Sequence, residues 1–181
     1  ANLVKAGHSV NAFDLSGDAC ARARDAGCSI AADAAAAVTG ADAVVTMLPA
    51  GAHVRSVYAQ SVFGTAAKGT LLLDCSTIDV ASAKAVAADA DAAGLVMVDA
   101  PVSGGIAAAN AGTLTFMVGG SSEAFTRAET VLAAMGKAII HAGGAGAGQA
   151  AKICNNMLLG ASMPGTADAL VLPPTLGPDV Q

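Results

Sequence analysis

Apolar runs and alanine-rich stretches alternate along the chain, separated by glycine or small polar turns. Residues 1–6 have helical composition and stop at Gly7, which suits a left-handed C-cap. SVNAF (9–13) reads as a strand ending at Asp14. Residues 18–26 and 31–39 are alanine-rich helical segments, closed by Gly27 and Gly40. AVVTML (43–48) is a continuous apolar run stopped by Pro49, the pattern of a parallel strand covered on both faces. Then come a helix (51–61), the strand TLLLD (70–74), a helix to Ala93 capped by Gly94, and the strand LVMVD (95–99). Strand 113–120, helix 122–135 and strand 137–141 complete the series.

This alternation predicts an α/β fold with a doubly wound parallel sheet, whose ligands bind beyond the carboxyl ends of the strands. Pro49, Thr77 and Ser103 fall at such ends. The expected organisation is one α/β domain over 1–147, with 148–181 opening a long helix.

Composition narrows the function classes. With 181 residues, 54% hydrophobic, the chain can bury one good core and part of a second domain. Nine Lys and Arg against 14 acids, with 3% aromatics, provide neither a phosphate-tracking patch nor a stacking platform for nucleic acid. No apolar run is long enough to span a bilayer. Cys20, Cys28, Cys75 and Cys154 form no CxxC pair or disulfide framework, which suits a reducing compartment and supports no metal site. The chain opens at Ala1 without a recognisable targeting segment, so its residues do not give the compartment.

The chemistry concentrates in HAGGAGAGQAAKICNN (141–156), a glycine-rich turn opening into a helix that carries Lys152. Its other neighbours are mostly apolar, so the helix is expected to be largely buried. A lysine there must face a cleft, because an unpaired buried ammonium is costly. Gln149 and Asn156 fall on its face, and partial desolvation would bring the amine towards the range of a general acid or base. An ordinary snorkelling lysine is the alternative. Gly144, Gly146 and Gly148 are expected to let the backbone pass close to a cofactor or substrate, or to form a plain hinge. They do not read as a dinucleotide fingerprint, since no second strand leads to Asp168.

Three further positions carry two readings each. Asp14, closing a strand, could accept from an adenosine ribose and favour NAD over NADP, or simply start a turn. Thr77 could contact a cofactor or cap the next helix, with Asp79 in its first turn. Ser103, Gly104 and Gly105 could form a carboxylate nest or a tight connection needing glycine dihedrals. The G-x-G-x-x-G turn belonging about 20 residues before Asp14 would fall upstream of Ala1. The first strand and its phosphate loop are therefore expected to be missing, leaving an unpaired apolar edge and poor stability.

Taken together, TMLP, DCSTID, VDAPVSGG, GTLTFMVGG and GAGQAAKICNNMLLGASM resemble the 3-hydroxyisobutyrate dehydrogenases of the β-hydroxyacid dehydrogenase family. The resemblance covers the chain to about Leu170. It implies a Rossmann-like domain, here lacking its first strand and glycine loop, joined by a long interdomain helix to a helical domain that completes the site and forms a homodimer. By match to these motifs Lys152 is catalytic, Asn156, Ser103, Gly104 and Gly105 hold the substrate, and Asp14, Leu48, Pro49, His53 and Thr77 contact NAD. The implied reaction oxidises 3-hydroxyisobutyrate to methylmalonate semialdehyde in valine catabolism, in the mitochondrial matrix of a eukaryote or the cytoplasm of a bacterium.

Two alternatives stand beside it: a relative acting on another small β-hydroxy acid, such as a tartronate semialdehyde reductase, or a catalytically silent remnant serving as a binding module. Pro164 is expected to break or kink the last helix, and Pro173 with Pro174 to end it. Beyond Leu170 the sequence drifts from the family pattern, as a truncated or misread coding region would.

Overall fold

The computed structural model describes residues 1–176, with side chains as far as Met163. The chain runs α1 (Asn2–Lys5), β1 (Asn11–Ala12), α2 (Gly17–Asp25), β2 (Ser29–Ile30), α3 (Ala34–Val38) and β3 (Ala43–Thr46). Helix α4 (Gly51–Val57) continues as a π-turn (Tyr58–Val62) into β4 (Leu71–Asp74), α5 (Val80–Ala92), β5 (Val96–Asp99) and β6 (Val102–Ser103). Then follow α6 (Gly105–Ala111), β7 (Leu114–Gly119), α7 (Ser122–Leu132), β8 (Gly136–Gly143) and α8 (Ala147–Leu176).

Local signals set most boundaries. Ser16, Asp33, Asp79 and Ser121 each accept a backbone N–H three residues on, satisfying an orphan donor at the start of α2, α3, α5 and α7. Gly7, Gly27 and Gly94 take positive φ just past α1, α2 and α5. Asp33 as a cap corrects the helix expected from residue 31: α3 starts later, and the short strand β2 precedes it.

Strands β3, β4 and β5 pair in parallel, Ala43 with Leu71 and Leu71 with Val96. The sheet is not parallel throughout. Beyond Asp99 the chain continues into β6, and β7 returns antiparallel to both, with Asp99 opposite Gly119 and Val102 opposite Phe116. Strand β8 pairs in parallel with β7. Strands β1 and β2 form a separate parallel pair, and β3 ends the larger sheet. This explains why the run from Ala43 is only half-buried, with Val45 38% exposed: β3 lies at an edge and lacks the cover expected of an inner strand.

Strand β4 is buried throughout and divides the core by its two-residue period. Leu71 and Leu73 point into one cluster with Phe116, Ala124, Ala128 and Leu132. Leu72 points into the other with Val54, Tyr58, Val86 and Ala90. Helix α7 thus covers one face and α4 and α5 the other, the layering of a Rossmann-like doubly wound domain.

Helix α8 differs from expectation in two ways. It continues past Pro164 and past Pro173–Pro174 to Leu176. Proline's fixed φ lies in the helical range, so the backbone stays helical through these positions despite the lost hydrogen bonds and the crowding of the carbonyl four residues back. Nor is the helix buried: Ile153, Met157, Leu158, Leu159 and Met163 are 40–71% exposed. After its first turns it leaves the sheet, and nothing among the described residues covers its apolar side chains. The divergence expected beyond Leu170 extends over residues 177–181, which lie outside the described residues.

Candidate functional site

The carboxyl ends of β3, β4 and β5 share one edge of the sheet, and a polar network is built into it. Thr46 Oγ1 donates to Asp74 Oδ1 at 2.9 Å, while Ser76 donates to the same oxygen from Oγ at 2.6 Å and from its backbone N at 3.2 Å. Because the one Thr46 hydroxyl proton goes to Asp74, Tyr58 Oη is the donor in its 2.9 Å bond to Thr46. Leu48 N donates to Ser76 Oγ at 2.8 Å.

Asp74 is fully buried and its Oδ2 has no partner. Desolvation raises its pKa above the ordinary carboxylate value, against the lowering effect of its hydrogen bonds. Burial pushes the Cys75 thiol up to about 12 and the Tyr58 hydroxyl well above its usual range, with Asp74 adding to both. Cys75 and Tyr58 therefore stay protonated at neutral pH, and the network braces the strand ends.

A second carboxylate anchors α8. Asp99, in register with Asp74, accepts from Gly146 N at 2.7 Å and from Gln149 N at 2.9 Å. It caps a helix distant in sequence and occupies the donors that an anion would otherwise meet. Gly148 packs so tightly that a Cβ there would lie against the Met117 carbonyl oxygen and 2.7 Å from Asp99 O. The expected passage beside a ligand is corrected at this position: the missing side chain lets α8 approach β5 and β7. Gly146 takes φ +82° with the Lys84 side chain beside it, whereas Gly144 has open space.

Gln149 is fully buried and reaches the loop after β4. Its Nε2 donates to Ser76 O at 2.7 Å and its Oε1 accepts from Ile78 N at 3.0 Å. Helix α8 therefore starts pinned to the backbone on both sides of Thr77. Lys152, half-buried, lies one turn further on, and Asn156, exposed, one turn beyond that. The three do share a flank, but Gln149 is spent on structure.

Thr77 is exposed and makes no hydrogen bond among the described residues. The cap of α5 is Asp79, so the helix-capping reading of Thr77 falls. Leu48, Pro49 and His53 lie at the adjoining end of β3 and the start of α4, with the Leu48 N–H already used by Ser76. Asp14 follows β1, exposed, with Oδ1 accepting from Ser16 N at 2.8 Å. It does start a turn, and its second carboxylate oxygen stays free for another donor. Ser103 extends beyond Asp99 at the tip of β6, and Gly104 and Gly105 take φ +127° and +67°. Glycine is required there by the connection into α6, and no hydrogen bond joins these residues to Lys152 among the described residues.

The geometry thus brings Leu48, Pro49, His53, Thr77 and the Lys152 helix to one sheet edge, and leaves Asp14 and Ser103–Gly105 on separate segments. The Asp14 carboxylate is of the type that accepts from a ribose diol. Asp74, Asp99 and Ser76 escaped the sequence reading. The available signal was the repeat of an acid closing each apolar strand, LLLD and VMVD. Among the described residues no group of side chains could hold a metal ion, and no helix is long and apolar enough to cross a membrane.

Residues 1–144 match the family described as the NAD binding domain of 6-phosphogluconate dehydrogenase. The chain is 53% identical over 174 residues to a 3-hydroxyisobutyrate dehydrogenase of Pseudomonas aeruginosa, aligning 95% of itself with 58% of that protein. An NAD-dependent L-serine dehydrogenase of the same organism is 52% identical, with 94% of this chain covering 58% of it. The structure of Mycobacterium tuberculosis 3-hydroxyisobutyrate dehydrogenase with L-serine superimposes with a TM-score of 0.93 at 48% identity, over 97% of this chain and 60% of that one. The chain thus spans less than two thirds of the length of these relatives. Fold, site edge and sequence agree: the chain belongs to the family of 6-phosphogluconate dehydrogenase-type NAD-binding domains, alongside the 3-hydroxyisobutyrate dehydrogenases.

Proposed function

We propose that this chain supplies the NAD-binding half of an enzyme that oxidises 3-hydroxyisobutyrate to methylmalonate semialdehyde in valine catabolism. The observation carrying this reading is the pinning of α8 by Gln149 to Ser76 and Ile78, which sets Lys152 one turn from the loop bearing Thr77. Residues 1–147 form the nucleotide domain and 148–181 begin the helix to a second domain, through which the whole enzyme forms a homo-oligomer.

In this reading Asp14 binds the adenosine ribose, and Leu48, Pro49, His53 and Thr77 line the nicotinamide side. NAD, when bound, accepts the hydride from the carbon bearing the hydroxyl. Lys152 stabilises the developing alkoxide and takes its proton, a contribution of about 10²–10⁴ in rate for a positioned acid–base group. Ser103, Gly104, Gly105 and Asn156 hold the carboxylate and orient the hydroxyl.

The relative that oxidises L-serine and the one solved with L-serine favour a second reading in the same class, a β-hydroxy acid with an amino group in place of the methyl. The compartment follows the source organism, since the relatives include bacterial and mitochondrial proteins. Calorimetric titration with NAD, then initial rates on 3-hydroxyisobutyrate, L-serine and, in the reverse direction, tartronate semialdehyde, test the proposal. Saturable NAD binding and a clear preference for 3-hydroxyisobutyrate are expected. Equal rates on all three would remove the narrow substrate assignment, and absence of NAD binding would favour a catalytically silent domain.

A further inference from the structure

Gln149 has no role in the chemistry above, yet it is fully buried. Its carboxamide treats residue 77 as a neighbouring strand would, donating to the carbonyl before it and accepting from the N–H after it. Turning the amide over would set donor against donor and acceptor against acceptor, so one orientation is fixed. The backbone N–H of the same residue is held by Asp99 at 2.9 Å. One residue thus links the end of β5, the loop at Thr77 and the helix of Lys152.

We propose that Gln149 is a positioning residue that couples the Thr77 loop to Lys152, so that a cofactor held at Thr77 and the lysine on α8 are oriented as one unit. The proposal rests on the dehydrogenase reading, in which Thr77 meets the nicotinamide side and Lys152 the substrate hydroxyl. Thr77 has no hydrogen bond of its own, and Lys152 no ion pair among the described residues. Their relative placement therefore depends on the backbone between them, and Gln149 is the side chain that closes it.

The test is hydrogen exchange on residues 1–181, with and without NAD, in the wild type, Gln149→Met and Gln149→Glu, with kcat and KM measured for the same substitutions in the whole enzyme. Methionine keeps the volume and loses both bonds. Gln149→Met is expected to speed exchange of the Ile78 amide at least tenfold and to abolish the slowing that NAD causes in the first turns of α8. It is expected to lower kcat at least tenfold while KM for NAD changes less than threefold. In Gln149→Glu the carboxylate faces the Ser76 carbonyl, but its protonated form donates there and accepts from Ile78. Protection and kcat relative to the wild type, which has no ionisable group at 149, are therefore expected to recover as pH falls, and this titration carries the test if the methionine variant does not fold. An unchanged Ile78 amide in folded Gln149→Met, or NAD protection of α8 persisting there, would overturn the coupling. If the wild type shows no NAD binding at all, the dehydrogenase reading fails, whereas the Ile78 amide still decides whether the clamp exists.

Discussion

Thr46 Oγ1 lies 2.9 Å from Asp74 Oδ1, across the register pair that joins β3 to β4. With two Ser76 donors on the same oxygen, every bond to this carboxyl converges on Oδ1 while Oδ2 stays buried and bare. Burial raises the folded pKa above that of the unfolded chain. Between the unfolded value, about 3.9, and the higher folded value, only the folded state keeps the proton, so rising pH removes stability across that window. Asp74→Asn has no such group. Its stability relative to the wild type is expected to climb as pH rises from about 4 and then to level off, read from urea midpoints at several pH values; parallel curves would reject this.

Glycine at 148 is a packing requirement. A methyl there meets backbone carbonyls of Met117 and Asp99, which cannot swing away as a side chain end can. Gly148→Ala is expected to cost about 1–3 kcal/mol, as overpacking does. Gly144→Ala, with nothing within 4 Å and no positive φ, is expected to stay within about 0.5 kcal/mol. Equal urea midpoints for the two variants would contradict the close approach of α8 to β7.

Thr77 and Asp79 stand two residues apart and are expected to separate stability from binding. Asp79→Ala removes the cap of α5 and is expected to lower the melting temperature. Thr77→Val removes a hydroxyl with no partner, so its melting temperature is expected to match the wild type while NAD affinity falls about 3- to 10-fold, the worth of one hydrogen bond. Unchanged affinity by calorimetry would take Thr77 out of the cofactor site.

Lys152→Ala is expected to reduce turnover by about 10²–10⁴ and to leave the Kd for NAD within about threefold, the signature of a lost acid–base group. Turnover retained near the wild-type rate would remove the lysine from its role.

The sequence by itself determined the α/β class, the family and most of the element types, though not β2, β6 or α6. Periodicity is a local property: LLLD, VMVD and the capping residues Ser16, Asp79 and Ser121 act within a few positions of themselves. It also placed Lys152 near the start of a helix following a glycine turn. What it could not reach were bonds spanning 47 to 73 residues, from Asp99 to Gly146 and from Gln149 to Ser76. Gln149 looked like one member of a cleft-facing polar stripe beside Lys152, and only the tertiary structure showed that it is buried and bonded to the loop after β4. The same holds for the helix expected to be buried. Composition shows that a segment such as Ile153 to Met163 is apolar, but burial depends on another surface arriving beside it, and β3 and α8 stay open because none of the described residues does so. Local pattern is written in neighbouring residues, whereas contact between distant ones exists only once the chain has closed on itself.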